Sequence, residues 1–325
     1  MLQRRLACLL MLLLPACGMS LAAAQGFPTK PVRMIVPFPA GGLADVLGRG
    51  MAQALTKVWN QQVVVENRSG ANTIIGAEAV AKSAPDGYTL LLANDPTLSS
   101  NQYLYRKLPY DPVRDFAPVV NLIAVPSVLV ANPSLAAKTL QELIALARNK
   151  PGAITYGTFG AGSKTHIDTE GFSAIAGIKF THVPYKGVAE VVPAVLSGQI
   201  DFALTGVQPV VANIQAGKLR AIAMAAARRS PVLPDVPTFA EAGVPNFESR
   251  SWFGLVAPAA TSRSIINQIA ADAGRIASSA EFQDKFVTGV GLEPLVLMPD
   301  EYAKFLKDDR EIYAERMKHI DVKLD

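Results

Sequence analysis

Cysteine is nearly absent from this sequence. Its two cysteines, Cys8 and Cys17, both lie in the first 24 residues, which have the pattern of a leader. We therefore expect no disulfide, thiol nucleophile or thiolate metal ligand in the rest of the chain. A chain of about 300 residues must then be stabilised by its hydrophobic core alone, and this length is typical of two domains.

Long hydrophobic runs are also missing beyond the leader. Arg4 and Arg5 precede an apolar run, Leu6–Leu14, and small residues follow it up to Ala24. This pattern predicts a secretory signal peptide over residues 1–24, cleaved near Ala24, and hence an exported, soluble protein. A second interpretation takes Leu14–Cys17 as a lipoprotein signal with lipid on its cysteine, but proline at position 15 is unusual in such a motif.

Strong charge of either sign is lacking as well. The formal charge of +4 falls to +2 without the leader, because Arg4 and Arg5 leave with it and no acidic residue does. No run of basic residues remains, which argues against a nucleic-acid partner. No histidines and carboxylates cluster at metal-ligand spacing, so we expect neither a metal site nor a cofactor.

The sequence does contain a regular alternation of short β-branched runs and helical patterns, which predicts an α/β fold with parallel sheets covered by helices on both faces. Strands are predicted at Val32–Val36, Val63–Val65, Tyr88–Ala93, Val119–Val125, Val128–Val130, Ile154–Gly157, Phe180–Val183, Ile200–Leu204, Leu219–Met224 and Trp252–Val256. Helices are predicted at Leu43–Val58, Ile75–Lys82, Leu140–Arg148, after Gly162, at Ala189–Leu196, and in the patterns from Ser264 to Lys318.

Two stretches, residues 125–127 and 247–251, are predicted to cross between domains. The chain leaves the first alternating set at one crossing, builds a second set, and returns at the other. We therefore assign residues 27–126 and 250–325 to the first domain and residues 127–249 to the second.

Each predicted domain has one glycine-rich connection from a strand to a helix. Loop one (Phe38–Asp45) follows the first strand, and loop two (Thr158–His166) follows the strand at Ile154–Gly157. The glycines alone are explained by tight turns. A helix N-terminus, however, binds anions readily, and ligands of open α/β sheets lie at the carboxyl ends of strands, where both loops fall. Two such loops facing each other predict a two-domain clamshell receptor, type II-like, with a small anion in the cleft.

Two enzyme classes fit loop two poorly. Gly157 and Gly162 have the spacing of a Walker-type phosphate loop, but Ser163 occupies the lysine position. A hydrolase built on Ser163, His166 and Asp168 fails because glycine directly precedes the serine, which departs from G-x-S-x-G. Residues two apart on one helix also face different sides. We therefore expect no enzyme.

A series of longer motifs resembles one known family, the extracytoplasmic solute receptors of tripartite tricarboxylate transporters, also called the Bug family. The motifs, in order along nearly the whole chain after the leader, are VPFPAGGLAD (Val36–Asp45), GANTIIGAEAVAKSAPDGYTLLLA (Gly70–Ala93), LPYDPVRDFAPV (Leu108–Val119), YGTFGAGSKTH (Tyr156–His166), HVPYKG (His182–Gly187), GQIDFAL (Gly198–Leu204), AGKLRAIA (Ala216–Ala223), PDVPTFAEAG (Pro234–Gly243) and SWFGLVAP (Ser251–Pro258).

The resemblance implies a periplasmic binding protein whose two α/β domains close on a small carboxylate. In such receptors backbone N–H groups and ordered waters of the two loops hold one carboxylate, and here Thr158 is a further side-chain donor. The ligand-binding residues implied in this way are Phe38, Ala40, Gly41, Gly42, Asp45, Thr158, Phe159, Gly160, Ala161, Gly162, Ser163 and His166.

Several side chains have two interpretations. Asp45 either complements the helix dipole, or pairs with a ligand amino group, a ring nitrogen or a bound water. Ser163 is expected to cap the helix and to offer its hydroxyl to the ligand. His166 is expected to brace the loop rather than contact the ligand. Phe159 is expected to pack under the loop rather than cover the ligand. Lys164 is expected to be solvated.

Two stretches depart from the family pattern. Asn72, Thr73 and Ile74 stand where members commonly have more glycine, and Phe159 and Ala161 replace small or polar residues. The resemblance therefore implies only a ligand class: a mono- or dicarboxylate, an amino acid or an aromatic acid. It also implies membrane transporter subunits as partners of a monomeric receptor. The alternative is an orphan or signalling carboxylate sensor of the same fold that is not coupled to transport.

Overall fold

A computed structural model describes residues 26–320 and residue 324, so the predicted leader with both cysteines lies outside the described residues. Its strands are β1 (Val32–Val36), β2 (Val63–Asn67), β3 (Thr89–Asn94), β4 (Phe116–Ala131), β5 (Thr155–Thr158), β6 (Thr181–Pro184), β7 (Phe202–Gly206), β8 (Arg220–Met224), β9 (Arg250–Pro258) and β10 (Glu293–Leu297). Its α-helices are α1 (Leu43–Trp59), α2 (Ile74–Ala81), α3 (Asn101–Leu104), α4 (Leu140–Asn149), α5 (Lys164–Ala176), α6 (Val188–Ser197), α7 (Val211–Gln215), α8 (Arg263–Ala277), α9 (Ala280–Phe286) and α10 (Pro299–Arg316).

Most predicted elements are confirmed with small shifts at their ends, but the predicted break within one strand and the purely helical C-terminal stretch are wrong. Val119–Val125 and Val128–Val130 are parts of one strand, β4, which continues through Pro126. Proline is tolerated because β4 changes partners there: its pairing with β9 ends at Pro126, and its pairing with β7 begins at Ser127. The short strand β10 lies inside the stretch predicted to be helical, because an apolar run of its length gives no clear periodicity.

The sheets are mixed, so the prediction of purely parallel sheets is also wrong. Strands β2, β1 and β3 run parallel, as do β6, β5 and β7. Strand β9 pairs antiparallel with both β3 and β4, and β4 pairs antiparallel with β7, β8 and β10. The chain returns from the second sheet as β9, which lies between β3 and β4. It runs opposite to both strands, so both pairings are antiparallel.

Helices cover both faces of each sheet. In the sheet of β1, β3 and β9, Met51 of α1 and Ile269 of α8 pack on one face, and Tyr302 of α10 packs on the other. In the sheet of β5 and β7, Phe172 of α5 packs on one face and Val195 of α6 on the other. All five side chains are buried, so two hydrophobic cores stabilise the sheets.

The segments that join the two sheets lie side by side. The Ser127 N–H donates to the Ser249 carbonyl at 3.2 Å, and the Ser249 N–H donates to the Ala225 carbonyl at 2.8 Å. Loops one and two extend from the carboxyl ends of β1 and β5. In the described part of the chain, no helix combines the length and apolar character needed to cross a membrane.

Candidate anion-binding site

Loop one presents an uncapped helix N-terminus. Gly42 precedes α1 in an extended conformation, and no side chain caps the helix. Gly41 has φ 85°, a left-handed conformation that favours glycine. Within the described residues, the backbone N–H groups of Gly42, Leu43 and Ala44 donate no hydrogen bond. These donors are therefore available to an anion at the positive end of the helix dipole.

Asp45 braces loop one from inside. One carboxylate oxygen accepts from the Gly41 N–H at 2.9 Å and from Arg49 Nε at 3.0 Å. The other accepts from Asn67 Nδ2 at 2.9 Å and lies 3.0 Å from the Arg49 guanidinium. Asn67 also donates to the Phe38 carbonyl at 3.0 Å. Both carboxylate oxygens are thus occupied by protein donors, and the bracing role of Asp45 is favoured over direct ligand contact.

The same contacts keep Asp45 ionised. Hydrogen bonding from Arg49 is the largest cause that lowers the pKa of Asp45 to about 2; burial opposes it, and the Gly41 and Asn67 donors add to it. Because Arg49 neutralises the charge, the carboxylate adds little repulsion toward an anionic ligand.

The side chain of Phe38 faces the core. Its ring meets Phe253 edge-on at 5.9 Å between centroids. The contribution of Phe38 to a binding site is therefore through its backbone. Ala40, Gly41 and Gly42 form the exposed tip of the loop.

Loop two is braced by more internal hydrogen bonds than loop one. The Phe159 N–H donates to Thr165 Oγ1 at 3.1 Å, the Gly160 N–H to Thr158 Oγ1 at 3.3 Å, and the Gly162 N–H to His166 Nδ1 at 3.1 Å. Among the described residues, three N–H groups of this segment make no hydrogen bond: those of Ala161, Lys164 and Thr165.

Two stacked histidines, His166 and His182, contact loop two on its buried side. The rings of His166 and His182 lie 4.0 Å apart at 11°, and His182 Nε2 lies 2.6 Å from Thr158 Oγ1. His166 Nδ1 accepts a hydrogen bond, so it carries no proton in this arrangement. Burial and then the neighbouring His166 lower the pKa of His182 to about 4, and burial also lowers the pKa of His166. Both rings are neutral at pH 7, and His166 has the bracing role expected of it.

Ser163 and Phe159 also have the expected structural roles. Ser163 is the N-cap of α5, and its Oγ accepts from the His166 N–H at 3.4 Å. Its Oγ also lies 3.2 Å from Thr165 Oγ1, and the side chain remains half-exposed, so a ligand can still reach the hydroxyl. Phe159 packs against the cluster that contains Val191 and Val207.

Lys164 differs from the prediction. Instead of being solvated, its side chain is only 14% exposed and forms an ion pair with the fully buried Asp168. The sequence places Lys164 on the first turn of α5 but gives no sign that another helix, α10, covers that turn.

The stretch that departs from the family pattern forms a left-handed turn beside loop one. Ala71, Asn72 and Thr73 have φ of 44°, 48° and 75°, which side chains other than glycine rarely adopt. Asn72 exchanges hydrogen bonds with Asn101 at 2.7 and 2.8 Å, and these bonds help to hold the turn. At the start of α2, a Cβ on Gly76 would lie 2.7 Å from the Pro37 side chain, so the turn is close to loop one.

A surface depression of about 720 Å³ lies elsewhere, along residues 102–115, and none of its lining residues belongs to either loop. No group of three or more His, Cys, Asp or Glu side chains in the described residues is placed to hold a metal ion.

Comparison with known proteins identifies the family. The sequence profile of the tripartite tricarboxylate transporter family receptor matches residues 47–321. Protein BugT of Bordetella pertussis is 36% identical over 303 residues, which cover 93% of this chain and 93% of BugT.

Solved structures agree. A Rhodopseudomonas palustris protein with adipate superposes with a TM-score of 0.79 at 33% identity, covering 90% of this chain and 98% of that one. MatC of the same organism, with bound malate, gives 0.74 at 29% identity, covering 90% of this chain and 100% of MatC. The chain therefore belongs to the receptor family of the tripartite tricarboxylate transporters, whose members are periplasmic solute-binding proteins.

Proposed function

We propose that this protein captures a small carboxylate between two domains, residues 27–126 with 250–325 and residues 127–249. The backbone N–H groups of loops one and two, with ordered waters, hold one carboxylate group, and the protein delivers the ligand to a tripartite membrane transporter. It has no catalytic role. The proposal rests on one observation above the others: the two matched loops each present unpaired N–H groups at a helix N-terminus.

The binding residues in this proposal are those inferred from the motifs, with distinct roles. Ala40, Gly42 and Ala161 offer backbone to the ligand, and Gly41 and Gly160, whose N–H groups donate to Asp45 and Thr158, shape the two turns. Ser163 supplies a hydroxyl group, whereas Thr158, which the motifs also suggested as a donor, is buried and uses its hydroxyl to hold Gly160 and His182 in place. The remaining residues (Phe38, Asp45, Phe159, Gly162 and His166) hold the loops in shape.

The contacts of Asp45 narrow the ligand class. An ammonium group of a ligand would need a free carboxylate oxygen, and both oxygens of Asp45 already accept from Gly41, Arg49 and Asn67. We therefore favour mono- and dicarboxylates over amino acids. The adipate and malate bound by the two Rhodopseudomonas palustris relatives support this class.

The joining segments provide a hinge for closure. Within residues 26–320, two places connect the two sheets through backbone: β4 near Ser127 and the chain near Ser249. Small dihedral changes at these two places would close the domains on a ligand without disturbing either core.

A thermal-shift screen of the protein without its predicted leader tests the proposal. The panel contains mono-, di- and tricarboxylates, amino acids, aromatic acids and nucleotides. A ligand at about 100 times its Kd adds about 2.7 kcal/mol, which shifts the unfolding temperature by several degrees. A shift confined to carboxylates supports the proposal. No shift with any carboxylate, or a shift with nucleotides alone, contradicts it.

A further inference from the structure

A buried ion network lies behind loop two and joins it to α10. Asp168 of α5 is fully buried and pairs with Lys164 of the same helix and with Arg316 at the end of α10. Ser249, on one of the joining segments, donates to the same carboxylate. Burial alone raises the pKa of the Asp168 carboxyl, but the Lys164 and Arg316 cations outweigh it and hold this pKa below its ordinary value.

The side chain of Arg316 is held by contacts with three residues. Its guanidinium donates to Asp168 and to the Glu248 carbonyl, and it lies 5.4 Å from the ring centre of Phe247. A Cβ on Gly171 of α5 would lie 3.1 Å from Arg316 Cγ, so the missing side chain lets the two helices approach closely. Arg316 therefore joins α5, α10 and the joining segment at one point.

The other charged groups around this point leave Lys164 little freedom. Its ammonium lies 5.6 Å from the ring centre of Tyr313. Tyr313 donates to the buried Asp95 at 3.0 Å, and Trp252 donates to the half-buried Asp309 at 3.1 Å. Two buried carboxylates, the half-buried Asp309 and two cations thus share one region, and Lys164 is the cation that belongs to loop two. The Lys164 side chain therefore cannot move away without breaking its ion pair with Asp168 and its contact with the Tyr313 ring.

Lys164 also belongs to the ligand-facing backbone. It directly follows the cap residue Ser163, and its own N–H is one of the unpaired donors of loop two. The backbone N–H of Lys164 is therefore a donor on the ligand-facing side of loop two. Its side chain, in contrast, forms an ion pair on the side of α10.

We propose that Lys164 is a positioning residue: through Asp168 and Arg316 it ties the N–H donors of loop two to α10, so that carboxylate affinity depends on contacts remote from the ligand. This inference rests on the proposed carboxylate-binding role of loop two. A relay of this kind differs from simple charge attraction, because it also depends on Arg316, which lies on another helix.

The test compares Lys164→Met, Lys164→Arg and Arg316→Met with wild type. The carboxylate found in the ligand screen is titrated by calorimetry, and amide hydrogen exchange of the hydrogen-bonded loop-two residues Gly162, Ser163 and His166 is measured without ligand. We expect Lys164→Met and Arg316→Met each to weaken binding and to speed exchange about tenfold, within the usual range of coupling between sites. Lys164→Arg is expected to recover most of both losses. Lys304→Met, which breaks an exposed ion pair on α10, is the control and leaves both values at wild type.

The outcomes separate the two proposals. If wild type binds no carboxylate, the proposed function fails, and the exchange rates still decide whether the relay exists. If Lys164→Met weakens binding but Arg316→Met leaves binding and exchange at wild type, local charge explains the effect and the relay is overturned. Wild-type exchange in Lys164→Met also overturns it, even if Arg316→Met fails to fold.

Discussion

Loops one and two present the same kind of donor but are held by opposite chemistry. Loop one is braced by an ionised carboxylate, Asp45, which Arg49 neutralises. Loop two is braced by neutral groups, chiefly His166 and Thr158. In neither loop does a bracing residue leave an unpaired charge beside the helix N-terminus. Under the proposed function, N–H groups and helix dipoles recognise the anion, which suits a receptor that must also release its ligand.

The largest effect is expected from Asp45→Ala. The substitution leaves the Gly41 N–H, Asn67 and Arg49 without their shared acceptor, so we expect a loss of about 2–3 kcal/mol in the free energy of unfolding. Urea unfolding measures this loss. Affinity for all carboxylates is expected to fall in parallel, since the loop loses its shape rather than a ligand contact.

Asp308→Ala is the matched control, because Asp308 also pairs with a residue four positions away but is exposed. An Asp45→Ala variant no less stable than Asp308→Ala would contradict the bracing role. A changed order of ligand preference, rather than a uniform loss, would show that Asp45 contacts the ligand.

The corresponding substitution in loop two, His166→Phe, is expected to have a smaller effect. Phenylalanine keeps a ring against His182 but cannot accept from the Gly162 N–H, so we expect a loss of about 1–2 kcal/mol. His166→Asn, which restores an acceptor without the ring, separates the two contributions. If Phe is tolerated and Asn is not, stacking rather than the hydrogen bond holds the loop.

The comparison also shows what local sequence reveals. The cap at Ser163, the bracing role of His166 and the packing of Phe159 follow from residue type and position within one segment. The pair of Asp45 and Arg49 has the i,i+4 spacing of helical ion pairs and could have been predicted in the same way.

Contacts that depend on strand register could not have been predicted from sequence. Asn67 reaches loop one because β2 pairs with β1 so that Asn67 lies opposite Val36. His182 reaches loop two because β6 places it opposite Tyr156. No local pattern fixes these registers, and none places α10 over Lys164. The contacts within each loop can therefore be predicted from sequence, whereas the contacts that Asn67, His182 and α10 make with the loops depend on tertiary structure.

Acid is expected to weaken loop two before loop one. The pKa of His182 is about 4 in the folded protein, whereas its ordinary value is 6.5. Between pH 4 and pH 6.5, His182 is therefore protonated in the unfolded chain but neutral in the folded protein. Stability from this group is complete above pH 6.5 and is lost as the pH falls to 4. The pKa of Asp45 is about 2 against 3.8, so its stabilisation is present above pH 3.8 and is lost only as the pH falls toward 2.

Asp95 opposes the histidine effect. Burial raises its pKa to about 6, so the folded protein binds the extra proton and acidification from pH 6 to 3.8 is stabilising. Unfolding temperatures at pH 7 and 4.5 should therefore be compared between variants. His182→Gln is expected to lose a few degrees less than wild type on acidification, and Asp95→Asn a few degrees more. Equal losses in all three proteins would contradict both assignments.

The smallest effect is expected from Ser163→Ala. The cap bond to the His166 N–H is long, at 3.4 Å, so we expect only about 0.5 kcal/mol of lost stability. Ser262→Ala is a close match, because Ser262 caps α8 with a bond of 3.4 Å and has a neighbouring hydroxyl at 3.1 Å, much as Ser163 has Thr165 at 3.2 Å. Thermal unfolding should show similar losses for both variants.

Only Ser163→Ala should weaken carboxylate binding in a calorimetric titration, because its hydroxyl alone lies beside the unpaired donors of loop two. Equal affinities of the two variants would limit Ser163 to capping and leave the backbone as the whole of the binding surface in that loop.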